Sequence, residues 1–358
     1  MAFHVEYSRT DRLLHRLAFA APSVQLAAAE MEESLYGAAL RGIAAGRPVF
    51  VTSLARAGTT MVLELLHRLP EFASTTYRDM PFVLAPMLWA RVSGRFRRQA
   101  GLRERAHGDG VAIGYDSPEG FEEVFWKAFW PGHYRGERIG HWQAADVNAE
   151  ATEFLGRHMR KIIALRRPGQ PGARYLSKNN TNIARLALLP RMFPDARILV
   201  ILREPLEHAR SLHRQHANFV DLQREPFAAR YMDDIGHYEF GALHRPIDFP
   251  GLEALIGGRG PASPDYWLAY WIAAFEHVAA HRNGVRVSSY EALCAGGTAV
   301  FEGLAAALGL EGGTALVQAA SHLRPARRLA DPADFDPALR ARAEALHGAL
   351  AEGAEVAG

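Results

Sequence analysis

Apolar residues in the first 47 positions recur at helical spacing: Leu13, Leu14 and Leu17, then Leu26, Met31, Leu35 and Leu40. The pattern stops at Gly42 and at Gly46-Arg47-Pro48, which predicts an N-terminal helical cap over 1–47. A short β-branched run follows at Val49, Phe50 and Val51, and the chain then resumes helical spacing, with Met61, Leu65, Leu66 and Leu69 on one face ended by Pro70. Further along, helical patterns at 151–165, Ile183–Met192, Leu206–His216 and Tyr266–His281 alternate with apolar strands near Tyr175-Leu176, at Arg197–Leu202 and at Val285–Ser288. Alternation of this kind predicts βαβ units, hence an α/β fold with a parallel sheet flanked by helices and ligands at the carboxyl ends of its strands.

Two segments depart from that rhythm. Residues 80–145 hold a Gly-rich, charged middle between aromatic flanks (Phe82, Trp89, Phe121, Phe125, Trp126, Phe129, Trp130, Tyr134), and residues 217–262 are rich in turns. Both read as excursions from the sheet, their aromatics serving either as core or as the wall of a cleft. The chain from 294 to 358 is alanine-rich and helical, broken at Gly309 and Asp331-Pro332. With neither an internal repeat nor a clean linker, a single domain over 1–358 is expected, its core spanning 48–293.

Chemistry enters at PVFVTSLARAGTTMVLELL, from Pro48. The strand breaks at Thr52-Ser53, passes through Ala55-Arg56-Ala57-Gly58 and opens a helix on Thr59-Thr60. A helix start offers N–H groups without intrahelical partners and the positive end of the dipole, and Arg56 with two Thr hydroxyls adds donors there. That combination suits a phosphate. It lacks the GxxxxGK[ST] pattern of an NTPase, since Arg56 and Gly58 stand where Gly-Lys would be needed.

The loop resembles instead the 5′-phosphosulfate loop of the PAPS-dependent sulfotransferases, and a second stretch, SKNNTNIARLALLPRMFPDARILVILREPLEHARSL, strengthens the resemblance. There a strand ends in Arg203-Glu204-Pro205, and Ser211 follows Arg203 by eight positions on the next helix, as in the family's 3′-phosphate signature. Arg203 at the strand tip and Ser211 about two turns on return to one side, so charge and hydroxyl could clamp a second phosphate. The Ser177-Lys178 entry and the late VRVSSYEAL strand also match, so the resemblance spans about 49–293. Ser53 departs from it, standing where family members often carry Gly.

The resemblance implies 3′-phosphoadenosine 5′-phosphosulfate (PAPS) as donor, 3′,5′-ADP as product, no metal, and in-line sulfuryl transfer to a hydroxyl or amine. By the same resemblance, Arg56 with Ala57, Gly58, Thr59 and Thr60 would hold the 5′-phosphate, Lys178 would reach the transferring group, and Tyr290 would contact the nucleotide. Arg324, Arg327 and Arg328 would either close over the 3′-phosphate or form a solvated basic face. Asp79, shortly after the first helix, is the candidate general base, or else an N-cap or a neighbour of Arg78; Glu122, Glu123 and His133 stand in reserve.

Composition narrows the partners only slightly. In 358 residues, 41 Lys and Arg against 39 Asp and Glu give a net charge of +2, which supplies no mandate for nucleic-acid binding. A single cysteine, Cys294, excludes an internal disulfide framework and fits a reducing, cytoplasmic setting. The N-terminal apolar run is short and interrupted by Pro22, Ser23 and Gln25, so neither a secretion signal nor a membrane span is expected. The acceptor is left open among small molecules, lipids and carbohydrates, and the sequence is silent on oligomeric state. A P-loop kinase or NTPase and a non-catalytic nucleotide-binding relative are the rival readings.

Overall fold

The computed structural model describes residues 9–93, 103–104, 112–113, 116–311, 313–321, 323–326, 330–352 and 354. Helices α1 (Arg9–Ala18) and α2 (Pro22–Leu40) lead to strand β1 (Val49–Thr52), helix α3 (Thr59–His67) and the short strand β2 (Phe72–Ala73). The first excursion contains α4 (Pro86–Ser93), a two-stranded hairpin of β3 (Arg103–Glu104) and β4 (Ala112–Ile113), and α5 (Glu123–Phe129). The chain continues through α6 (Ala149–Arg166), β5 (Arg174–Lys178), α7 (Leu189–Met192), β6 (Arg197–Leu202) and α8 (Pro205–Leu222). The second excursion carries α9 (Pro226–Ile235) and α10 (Leu252–Ile256), and is followed by α11 (Pro264–Ala280) and β7 (Arg286–Ser289). Helices α12 (Tyr290–Ala295), α13 (Thr298–Leu308), α14 (Thr314–Ala319) and α15 (Pro337–Glu352) complete the described chain.

Strands β2, β5, β1, β6 and β7 lie side by side in that order, and every pairing is parallel. Alternating apolar side chains let the sheet bury both faces. Phe50, Ile198, Val200 and Leu202 enter the core shared with α6, α8, α11 and α15, whereas Val49, Val51, Leu199 and Ile201 enter the core under α3, α13 and α14. This is why the strands read as continuous hydrophobic runs. Strand β1 sits between β5 and β6, with Val51 opposite both Lys178 and Leu199. The chain reverses its direction across the sheet at these strands, so their carboxyl ends open on one crevice.

Two expectations needed revision. The helix expected at Ile183–Met192 is a 3-10 segment (Asn180–Arg185) followed by the short α7. Pro190, which has no N–H to give, is tolerated only in the first turn of α7, so no continuous helix crosses it. In the second excursion, a segment read as mostly turns contains the regular helix α9, closed by left-handed Gly236. Among the described residues, no helix is long and apolar enough to cross a membrane.

Candidate active site

At the carboxyl end of β1 the chain turns through Arg56, which adopts a left-handed φ of 70°, and Gly58, with φ of 94°. A left-handed non-glycine residue costs about 1–3 kcal/mol and persists only where its surroundings hold it. Two side chains do so: Arg203 Nη1 donates to the Arg56 carbonyl at 2.7 Å, and His208 Nε2 lies 2.8 Å from the Ala55 carbonyl. Ser53 is fully buried, and its hydroxyl donates to the Ile201 carbonyl at 2.7 Å, tying the end of β1 to β6. Its side chain is thus directed into the sheet.

The residues of the two sequence signatures come together around this loop. Arg56 Nε donates to Ser211 Oγ at 3.5 Å, and the Arg203 guanidinium lies 4.9 Å from the centroid of the Tyr290 ring. The same ring packs so closely on Gly58 that a Cβ there would collide with it. Ala57 and Thr59 are buried beneath the loop, and Thr60 occupies the first turn of α3. Arg203 Nε is buried without a hydrogen-bond partner among the described residues. The donor set of Arg56, Arg203, Ser211 and the start of α3 fits a ligand with two phosphates.

Lys178 ends β5 next to the loop. Its Nζ lies 3.3 Å from Glu119 Oε1, and Glu119 also accepts from Tyr77 OH at 3.1 Å and from the Gly120 amide at 2.9 Å. Gly120 lies against the Lys178 carbonyl so tightly that only glycine fits. Two residues on, Asn180 donates to Glu239 Oε1 at 3.2 Å and accepts from the Thr59 hydroxyl at 3.1 Å. Glu239 lines a cleft with Leu54, Ala55, Leu212, Tyr238 and Trp267. Burial acts to raise the Glu239 pKa, but His237 Nδ1 at 3.0 Å, with Lys178 further off, holds it down to about 2. His237 shows the converse: burial opposes its proton, the Glu239 carboxylate favours it, and the net shift is upward.

Behind β5 a buried network fixes the approach to Lys178. Arg185 is fully buried, with its guanidinium 4.1 Å from the Trp126 ring centroid and 4.2 Å from that of Trp142. It donates to Glu123 at 2.7 and 3.1 Å, to Tyr134 OH at 2.7 Å and to Asn182 Oδ1 at 2.9 Å. Glu123 in turn accepts from Asn179 Nδ2 at 2.7 Å, directly after Lys178.

The carboxylates considered as general bases are all engaged elsewhere. Asp79 is 2% exposed and receives Arg166 Nη2 at 2.5 and 2.6 Å and the Thr76 amide at 2.8 Å. Asp79 is not itself an N-cap: it closes a capping box on Thr76, the N-cap of the short turn Tyr77–Asp79, and its paired cation is Arg166. Burial raises the Asp79 pKa against the pull of Arg166. Glu122 accepts from Tyr175 OH at 2.6 Å, Glu123 belongs to Arg185, and His133 stacks on Trp142 with centroids 4.3 Å apart. Asp79→Ala is expected to lower unfolding free energy by about 3 kcal/mol, because Arg166 would keep a mostly buried charge without its carboxylate. Urea denaturation followed by circular dichroism checks this, and a loss below about 1 kcal/mol would contradict it.

Most of the first-excursion aromatics belong to the core, including fully buried Trp126, Phe121 and Phe125. Arg324 donates to the Leu323 carbonyl, while Arg327 and Arg328 lie outside the described residues. No group of three or more His, Cys, Asp or Glu side chains that could hold a metal occurs among the described residues. Glu119, His237, Glu239 and His208 are the polar residues of the site that the sequence motifs did not single out.

A strand, a loop and a helix start at the carboxyl edge of an all-parallel five-stranded sheet define a P-loop-like α/β protein. The model of the sulfotransferase family matches residues 48–245, more than half of the chain, and the chain belongs to that family. Solved structures similar to it include sulfotransferase STF1 from Mycobacterium tuberculosis H37Rv, 15% identical at a TM-score of 0.47, with 96% of this chain and 88% of that one covered. STF9 from Mycobacterium avium is 13% identical at a TM-score of 0.43, covering 96% and 85%. A sulfotransferase from Alicyclobacillus acidocaldarius is 15% identical at 0.38, covering 86% and 96%. No curated protein matches the chain.

Proposed function

We propose that this sulfotransferase-family enzyme takes the sulfuryl group from 3′-phosphoadenosine 5′-phosphosulfate and transfers it to a hydroxyl or amine of a small-molecule, lipid or carbohydrate acceptor. The observation that carries the reading is the convergence of Arg56, Arg203, Ser211 and Tyr290 on the loop before α3. Two phosphate-binding elements far apart in sequence meet there, as a donor with separate 3′- and 5′-phosphates requires.

Arg56 and the start of α3 would hold the 5′-phosphate, and Arg203 with Ser211 the 3′-phosphate. The donor supplies an activated sulfuryl group, and the protein's part is positioning and charge stabilisation. Lys178, a compact point charge at the tip of β5, is assigned to the charge that develops on the leaving oxygen. Glu239, which lines the cleft beside Leu54 and Ala55 and is held ionised by His237, is assigned to orienting the acceptor, whereas the carboxylate of Asp79 is closed off by Arg166. The aromatic wall of that cleft, Tyr238 and Trp267 with Tyr270, suits an acceptor with an apolar face.

Titration with 3′,5′-ADP tests the donor assignment without knowledge of the acceptor. Binding is expected in the absence of magnesium and at least about tenfold tighter than to ATP. The acceptor itself would be sought by incubating labelled donor with small-molecule extracts and detecting an added sulfo group by mass.

A further inference from the structure

The histidine in REPLEHARSL sits three residues before Ser211, yet neither phosphate signature uses it. His208 is fully buried on the first turns of α8, its ring edge-on to Phe275 of α11, and Nε2 lies 2.8 Å from the Ala55 carbonyl. A carbonyl oxygen only accepts, so the ring is in the tautomer that carries its proton on Nε2. Burial first, and the neighbouring Arg203 second, push its pKa down to about 3, so this donor stays neutral.

Its location gives the contact a meaning beyond packing. A loop that directs its amides at an anion turns its carbonyls away, and those oxygens need donors of their own or they repel the ligand. Ala55 and Arg56 supply two consecutive carbonyls, and both are capped from one short stretch, by His208 and Arg203. The second of these oxygens belongs to Arg56 itself, the residue held at a left-handed φ two positions before Gly58. A neutral donor caps Ala55 without adding a charge that would compete with Arg56 for the ligand.

We propose that His208 is a positioning residue of the anion loop: by donating to the Ala55 carbonyl it holds the backbone in the form that binds a 5′-phosphate. The proposal rests on the nucleotide reading given above. It assigns His208 to the 5′-phosphate alone, since the 3′-phosphate falls to Arg203 and Ser211.

Calorimetric titrations of wild type, His208→Leu and His208→Gln with 3′,5′-ADP and with 3′-AMP, which lacks the 5′-phosphate, test it. The wild type is expected to prefer 3′,5′-ADP by at least about tenfold, in line with charge-assisted hydrogen bonds to the extra phosphate. His208→Leu should shrink that preference by about tenfold while 3′-AMP binds within about threefold of wild type. His208→Gln, whose amide nitrogen falls near the position of Nε2, should restore it. Unchanged preference in His208→Leu, or equal weakening of both nucleotides, would overturn the positioning role. Should the leucine variant not fold, His208→Asn, with an amide too short to reach Ala55, replaces it: a preference reduced about tenfold supports the role, and an unchanged one overturns it. A wild type without preference for 3′,5′-ADP would refute the donor assignment itself, and the role of His208 with it.

Discussion

Lys178→Ala is expected to lower turnover at least ~100-fold while 3′,5′-ADP affinity stays within about threefold, because a charge aimed at the developing oxyanion acts in the transition state and not on the product nucleotide. The variant also strips Glu119 of its ion pair at 3.3 Å. A double variant, Lys178→Ala with Glu119→Gln, removes that stray carboxylate and should be no more active than the single one. Glu239→Gln should also retain nucleotide binding, while kcat/KM for the acceptor falls about tenfold through lost orientation. Transfer from labelled donor to any acceptor the wild type sulfates, measured beside calorimetry with 3′,5′-ADP, checks both. Near-wild-type kcat/KM in either variant would remove that residue from its assigned role, and a matching loss of nucleotide affinity would make it a nucleotide-binding residue.

Arg185→Ala is expected to be the most destabilising single substitution, costing about 3–5 kcal/mol, because it leaves the buried Glu123 side chain without its cation. Opening the space between Trp126 and Trp142 adds a cavity to that loss. Replacing both partners, with Arg185→Met and Glu123→Leu, should recover a large part of the stability, since a buried pair removed whole leaves no uncompensated charge. Activity should not recover with it, for Asn179 would have lost the Glu123 carboxylate that anchors it beside Lys178. Urea denaturation and transfer rates on the same three proteins separate the two effects; a single-variant loss below about 2 kcal/mol would show that the network is not the keystone of β5.

What could be read in the sequence follows from where its physical signal resides. Strands β1 and β6 and their flanking helices were legible because an apolar run, a turn and a helix start are local patterns, and Arg203 and Ser211 are only eight positions apart around the start of α8. The bounds of β6 agree with the sequence reading at both ends. Arg185, by contrast, looks like a polar residue on an apolar helix until Glu123, 62 positions upstream, is brought beside it. Glu119 and Gly120 read as a turn in a charged excursion, yet they pack on Lys178 across 59 residues. Glu239 and His237 fell in a segment whose turn composition concealed both α9 and the carboxylate of the cleft. Asp79 shows the opposite case. Its position after α3 suggested chemistry, while the partner that occupies it, Arg166, lies 87 residues away.

All these roles depend on the ligand that the loop before α3 accepts. Isothermal titration of the wild-type chain with 3′,5′-ADP, and separately with ATP in the presence and absence of magnesium, is the most direct test. The expected result is metal-independent binding of 3′,5′-ADP at least about tenfold tighter than ATP, equivalent to about 1.4 kcal/mol. Binding of ATP only with magnesium, and none of 3′,5′-ADP, would contradict it.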